Sequence, residues 1–383
     1  MQRNPKRTEN VLTIAVVINT SWNIYNFRRG MLEAFREAGH RIVCIAPRDD
    51  YSEKLEALGF EYREIRMNNK GTNPVEDARL IADFYRLFRE VGPDVLLHYT
   101  IKPNIYGSMA AGVLGIPVIS NISGLGTVFL NDGLSSKVAR LLYKAALRFP
   151  KTVFFQNPQD RELFVRSGLV KAQKSALLPG SGIDTARFAP RARRTPDGTV
   201  RFLFIARLVK DKGLVEYVDA ARNILESGAW APKAEFCILG AYYPGNPTAI
   251  TEDEMQAWQA EGIVNYLGTS DDVASIIAGM DCVVLPSYRE GLSRVLLEAA
   301  ALAKPIVTTD VPGCREVVDD GVNGYLCKVK DAASLAGALR KMIDLDETPR
   351  RAMGERGREK IVREFDERLV VEKYEEAIRK ATS

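Results

Sequence analysis

"CVVLPSYREGLSRVLLEAAALAKPIV", residues 282–307, sets a β-branched run, a polar turn, an apolar helical stretch and a second β-branched run end to end. Neither short run alternates with polar residues, so each reads as a strand buried on both faces. Strands of that kind separated by helices argue for a parallel sheet covered on two sides. The rhythm extends outward. Upstream in the same half stand "VRFLFIA", "AEFCILG" and "IVNYLG". Before residue 160 come "VLTIAVVI" (11–18), a helical pattern over about 24–39, "RIVCIA" (41–46), "VLLH" (95–98), "IPVIS" (116–120) and "TVFFQ" (152–156). Between the halves, "PGSGIDTARFAPRARRTPDGT" (179–199) is rich in Gly, Pro and Arg and reads as a linker. After about residue 331 the pattern is helical throughout.

The 383 residues exceed one ordinary core, and two domains of ~150–200 residues are expected. We place them at 1–184 and 185–365, with a helix at 366–383 returning to the first. Two facing Rossmann-like domains would leave a cleft, with ligands beyond the carboxyl ends of the strands. Apolar content of 46% and charged content of 27% are those of a globular chain, and a net charge of +4 does not demand nucleic acid. The basic start "MQRNPKRTEN" lacks the apolar segment of a secretory signal, and "VLTIAVVI" is too short to span a bilayer. Five scattered cysteines, several within apolar runs, suit small core residues in a reducing cytoplasm. With only His40 and His98 besides, no metal-ligand spacing stands out.

The strand-end loops of the second half carry the chemistry. In "FIARLVKDKGLVEYV" (204–218), Arg207 follows a strand and Lys212 precedes a glycine and a helix. A fixed guanidinium with a mobile ammonium suits a diphosphate, although a solvated basic loop would read the same way. No P-loop is present, and "GLGTVF" (124–129) lacks the third glycine of a dinucleotide fingerprint. If 291–302 is helical, the amides of Gly291, Leu292 and Ser293 offer an anion site at its start. Glu290 and Glu298 would then stand roughly 12 Å apart along the axis. That exceeds the separation of a glycosidase acid pair, so they are not a dyad. They suit opposite ends of one extended ligand. Glu298 lies amid Leu296, Leu297, Ala299, Ala300 and Ala301 and needs a partner.

"SYREGLSRVLLEAAALAKPIVTTDVPGCREVV" with "ARLVKDKG", "SGIDTARFAP" and "DGVNGYL" resembles family 4 of the retaining glycosyltransferases, which have the α/β GT-B fold. The resemblance implies that Arg207 and Lys212 hold the donor diphosphate, Glu290 the donor sugar and Glu298 the ribose. Gly291, Leu292 and Ser293 would support sugar and phosphate, and Leu267–Gly268 would meet the base. It implies transfer from a nucleotide sugar with retained configuration and no metal cofactor. The Asp344-Leu345-Asp346 triplet reads as a surface feature.

Two departures fall in the first half. Ser123 stands where relatives have a histidine, and Asn19 and Asn23 stand where small residues are common. "YTIKPNIYGSMAAGVLGIPVISNISGLGTVF" (99–129) is similar to a subgroup that extends sugars on undecaprenyl diphosphate. Lys102, Asn104, Ser123, Gly124 and Arg28 or Arg29 are the expected acceptor contacts, whereas His98 reads as a packed strand-end residue. In "KVARLLYKAALRFPK" (137–151), Lys137, Arg140, Lys144, Arg148 and Lys151 form a basic stripe beside Val138, Leu141, Leu142, Ala145 and Phe149. Such a helix suits an anionic membrane on its cytoplasmic side, and equally a covering helix with a solvated face. A UDP-sugar donor leads. A GDP-sugar or soluble-acceptor transferase, a UDP-sugar epimerase and a non-enzymatic nucleotide-sugar binder are the alternatives.

Overall fold

The computed structural model describes residues 11–68, 73–125, 134–191, 197–230 and 233–383. The basic segment 1–10, the centre of the linker and the end of "GLGTVF" lie outside these residues. The chain separates into two compact units. Unit 1 is the chain up to Ser181 together with Val370–Ser383, and unit 2 is Gly182–Leu369.

Among the described residues, unit 1 holds seven strands: β1 (Thr13–Val17), β2 (Arg41–Ala46), β3 (Glu61–Glu64), β4 (Val95–Tyr99), β5 (Val118–Ile122), β6 (Thr152–Phe155) and β7 (Ser175–Leu177). Their order is β3-β2-β1-β4-β5-β6-β7, every pair parallel. Alternate residues of the central strands feed opposite cores, which is why their runs are apolar on both faces. Ala15 and Val17 join Phe84 and Phe88 of the helix Pro74–Val91. Ile14 and Val16 join Phe35 and the carboxy-terminal helix Glu367–Thr382, through Val370, Tyr374 and Ile378.

Unit 2 repeats the plan with β8 (Val200–Ile205), β9 (Ala234–Leu239), β10 (Asn265–Tyr266), β11 (Cys282–Leu285), β12 (Ile306–Thr309) and β13 (Gly324–Cys327). The order is β10-β9-β8-β11-β12-β13, again all parallel. The topological switch points fall between β1 and β4 and between β8 and β11, where an open α/β sheet binds its ligands. All five cysteines are buried and free.

Sequence periodicity missed β3, β7 and β13, all of them edge strands. An edge tolerates charge: β3 reads "EYRE", and its Glu61 pairs with Arg41 of β2 at 2.7 Å. The single helix expected over 24–39 is two, Ser21–Phe27 and Arg29–Glu37, broken at Arg28 with φ −129° and ψ −7°. The helix expected over 137–151 spans Leu134–Ala146, leaving Arg148 and Lys151 in the following turn.

Candidate active site

In unit 2 two loops meet at the switch point. After β8 the chain passes Arg207, makes a short 3-10 turn at Lys210–Lys212 and reaches Gly213 at φ 75°. A side chain at Gly213 would strike the carbonyl oxygen of Pro286, the residue that follows β11. Glycine therefore allows the backbones to touch. The Tyr288 amide donates to the Asp211 carbonyl at 2.9 Å and completes the join.

The same loop is held from its other side. Glu290 N–H donates to the Pro312 carbonyl at 3.0 Å, and Ser293 N–H to the Gly313 carbonyl at 2.9 Å. Gly313, at φ 82°, lies so near that a β-carbon there would stand 2.5 Å from the Glu290 carbonyl carbon. The "DVPGCREVV" segment thus acts as a brace.

Within this frame the Lys212 ammonium forms an ion pair with the Glu290 carboxylate, both side chains largely buried. Arg207 is exposed and stacks on Tyr243, its guanidinium carbon 4.6 Å from the ring centroid. The ring attracts the cation while the exposed guanidinium stays within reach of a ligand. Tyr288 donates its hydroxyl to Glu216 at 2.7 Å. Leu267 is exposed, and Gly268, at φ 73°, accepts from Gly240 N–H at 2.8 Å at the β9–β10 strand ends.

The helix after the loop is shorter than expected, Arg294–Ala301 rather than 291–302. Ser293 occupies its N-cap, buried, without a side-chain cap bond. Because the Ser293 amide is committed to Gly313, it is not an anion donor, which corrects the expectation of three amides at the helix start. Gly291 and Leu292 lie in the loop before the cap. The partner that Glu298 required is Arg294, one turn back, whose Nε lies 2.9 Å from Oε1. Burial raises the Glu298 carboxyl above its ordinary range, with Arg294 and Arg187 opposing the rise. Arg294 also donates to the Gly182 carbonyl at 2.5 Å. The i, i+4 spacing of Arg294 and Glu298 was visible in the sequence as a pairing signal. Tyr243 and the Gly313 brace carried no such signal.

In unit 1, Thr100 follows β4 at φ 61° and is succeeded by a π-helical turn, Pro103–Gly107. Such turns recur at functional sites. Lys102 pairs with Asp77 at 3.0 Å, and Tyr106 donates to the same carboxylate at 2.7 Å. Lys102, an expected acceptor contact, is thus held in an ion pair at the strand end. Asn104 is buried, donates to the Asn121 carbonyl at 2.9 Å, and has an Oδ1 without a hydrogen-bond partner. Ser123 donates to Asn121 Oδ1 at 3.2 Å, and Gly124 follows at φ 151°. Arg29 pairs with Glu33 at 2.8 Å, whereas Arg28 turns inward over the Tyr99 ring. His98 is fully buried, shares a 3.1 Å hydrogen bond with Ser108 and stacks on Phe88. Burial pushes its imidazole down to about 3, so it is a neutral core residue.

The comparisons with known proteins agree with this layout. A "Glycosyl transferase 4-like domain" model matches residues 26–180 and a "Glycosyl transferases group 1" model matches residues 186–360. The N,N'-diacetylbacillosaminyl-diphospho-undecaprenol alpha-1,3-N-acetylgalactosaminyltransferase of Campylobacter jejuni is 25% identical, over 95% of this chain and 97% of its own. The Escherichia coli UDP-Gal:alpha-D-GlcNAc-diphosphoundecaprenol alpha-1,3-galactosyltransferase is 24% identical over 70% of this chain and 71% of its own. Among solved structures, Anabaena HepE in complex with UDP and glucose superposes with a TM-score of 0.79 at 19% identity, covering 96% of this chain and 99% of that one. The chain is a glycosyltransferase of the GT-B fold, built from a glycosyl transferase 4-like domain and a group 1 glycosyl transferase domain.

Proposed function

We propose that this glycosyltransferase moves a sugar, an N-acetylhexosamine, from a UDP-sugar to a saccharide carried on undecaprenyl diphosphate, in bacterial surface glycan or glycoprotein synthesis. The observation that carries the acceptor is the end-to-end similarity to the Campylobacter enzyme, named for a diphospho-undecaprenol-linked substrate. The Escherichia coli relative is named for an acceptor of the same kind.

On the donor side, the loops after β8 and β11 support the reading. As the glycosidic bond breaks, negative charge gathers on the departing diphosphate. Arg207, attracted to the Tyr243 ring, and Lys212 can stabilise that charge without moving far. Glu290 shares Lys212, so it couples the sugar to the leaving group. Glu298, held by Arg294, takes ribose hydroxyls. In this reading configuration is retained, the leaving phosphate receives the acceptor's proton, and no metal is required.

The acceptor reading implies a peripheral place on the cytoplasmic face of the membrane. Among the described residues no helix is long and apolar enough to cross a bilayer. Leu141, Val138 and Phe149 are 68%, 46% and 42% exposed, beside exposed Lys137, Arg140, Lys144 and Arg148. That combination suits an anionic lipid surface. Flotation with anionic vesicles should weaken when Arg140, Lys144 and Arg148 become Gln; unchanged flotation sinks the docking face.

The function itself is tested with radiolabelled nucleotide sugars in EDTA, with and without a polyprenyl-diphosphate-linked saccharide. Label transfer only from UDP-sugars and only to the lipid-linked acceptor is expected. Transfer to a free saccharide alone would overturn the acceptor, and release of free sugar or epimer without any acceptor would overturn the transferase.

A further inference from the structure

Unit 1 buries two basic side chains that its fold treats in opposite ways. Lys102 is neutralised by Asp77. Arg28 is only 6% exposed, and among the described residues no carboxylate pairs with it. One Nη donates to the neighbouring Phe27 carbonyl at 3.0 Å, and its buried Nε has no acceptor. The guanidinium carbon sits 4.5 Å from the Tyr99 ring centroid. A cation–π contact offsets only part of the cost of withdrawing a charge from water. A guanidinium fork with Nε unspent matches one prong of a phosphate oxyanion, and exchange of its local contacts would supply the other.

The support beneath Arg28 comes from far along the chain. Tyr374, on the carboxy-terminal helix, is buried with its ring 6.2 Å from that of Tyr99 and 5.1 Å from Phe154. Its hydroxyl accepts from Asn121 Nδ2 at 3.0 Å, and Asn121 in turn anchors Ser123. Arg28, Tyr99, Tyr374 and Asn121 therefore form one buried group beside the switch point of the first sheet. We infer that Arg28 is the phosphate-binding group of unit 1, receiving the acceptor's diphosphate, and that Tyr374 is the positioning residue that holds the platform under it. The diphosphate assignment rests on the acceptor reading above; the anion site itself does not.

The test uses the full chain, with inorganic pyrophosphate as probe and thermal stabilisation as readout, in saturating UDP to occupy unit 2. Wild type should show saturable stabilisation. Arg28→Gln should raise the apparent Kd at least about tenfold, the loss of charge-assisted hydrogen bonds. Lys102→Gln should stay within about twofold. Tyr374→Phe should raise it about threefold, in addition to the lower melting temperature expected when the buried Asn121 amide loses its acceptor; a purely structural tyrosine would lower that temperature and leave Kd alone. In the transfer assay Arg28→Lys should raise KM for the acceptor and not for the donor, because an ammonium cannot reproduce the fork. No stabilisation of wild type, an unchanged Kd in Arg28→Gln, or a loss in Lys102→Gln instead would overturn the site. If Arg28→Gln does not fold, the wild-type and Lys102→Gln titrations and the Arg28→Lys KM decide alone. Transfer to a neutral acceptor with pyrophosphate still bound at Arg28 would sink the lipid-diphosphate reading and leave the anion site standing.

Discussion

The two units place polar groups at the same topological position and hold them differently. In unit 2, charge meets charge: Lys212 with Glu290, Arg294 with Glu298. The loops that carry these pairs are clamped backbone to backbone through Gly213 and Gly313. In unit 1 one such pair, Lys102 with Asp77, follows β4, but Arg28 lies among neutral groups, Tyr99, Asn121 and Tyr374, and no carboxylate among the described residues pairs with it. Paired ions that share a part-buried site turn toward a ligand when the ligand's own polar groups replace the partner that is given up. A neutral frame around one cation leaves the charge to the ligand. The contrast fits a donor site that must grip several chemical groups and an acceptor site that must recognise one.

The first way to break this contrast is to remove the clamp. Gly213→Ala places a methyl group against the Pro286 carbonyl oxygen in a left-handed backbone. It should cost ~3 kcal/mol or more in urea unfolding, through strain at a special backbone angle. A loss below ~1 kcal/mol, the ordinary price of a glycine change at positive φ, would show that the loops do not depend on each other. The second sharpens the neutral character of unit 1. His98 has its pKa depressed to about 3 in the folded state. Its contribution is therefore present above the unfolded value of ~6.5 and lost as pH falls from there toward the folded value, because the unfolded chain takes the proton first. Stability should fall by up to ~1.4 kcal/mol per pH unit from this group. His98→Gln should lack that slope, so the difference between the two proteins in urea melts at pH 7 and pH 5 isolates it. Parallel pH profiles would mean that His98 is charged, or reachable by water, in the folded protein.

How much could be read in the sequence follows the same division. Parallel α/β architecture was legible because "CVVL", the "IV" of "KPIVTTD" and their counterparts set adjacent apolar residues side by side without polar alternation, as strands buried on two faces do. The residues proposed for the donor could be named from the sequence because they are local: Arg207 and Lys212 share one loop, and Glu290 and Glu298 one loop and helix. Arg28 stands out there only as one of two neighbouring arginines, and its grouping with Tyr99, Asn121 and Tyr374 was not legible. That grouping brings together residues 28, 99, 121 and 374, a juxtaposition made by sheet order and by the returning helix. The partner of Lys102 was hidden for a related reason, since nothing near it in sequence announces Asp77, 25 residues upstream. The break at Arg28 was equally hidden, because the helical pattern runs through it without a glycine or proline.

Calorimetric titration of UDP into the wild type, Arg207→Ala and Glu298→Gln tests the central claim, that unit 2 holds a nucleoside diphosphate across its strand-end loops. Wild type should bind with one site. Arg207→Ala should weaken binding by about a hundredfold, the loss of a two-pronged charged contact, and Glu298→Gln by about tenfold, with the fold of each intact by circular dichroism. Wild-type affinity in both variants would contradict the account.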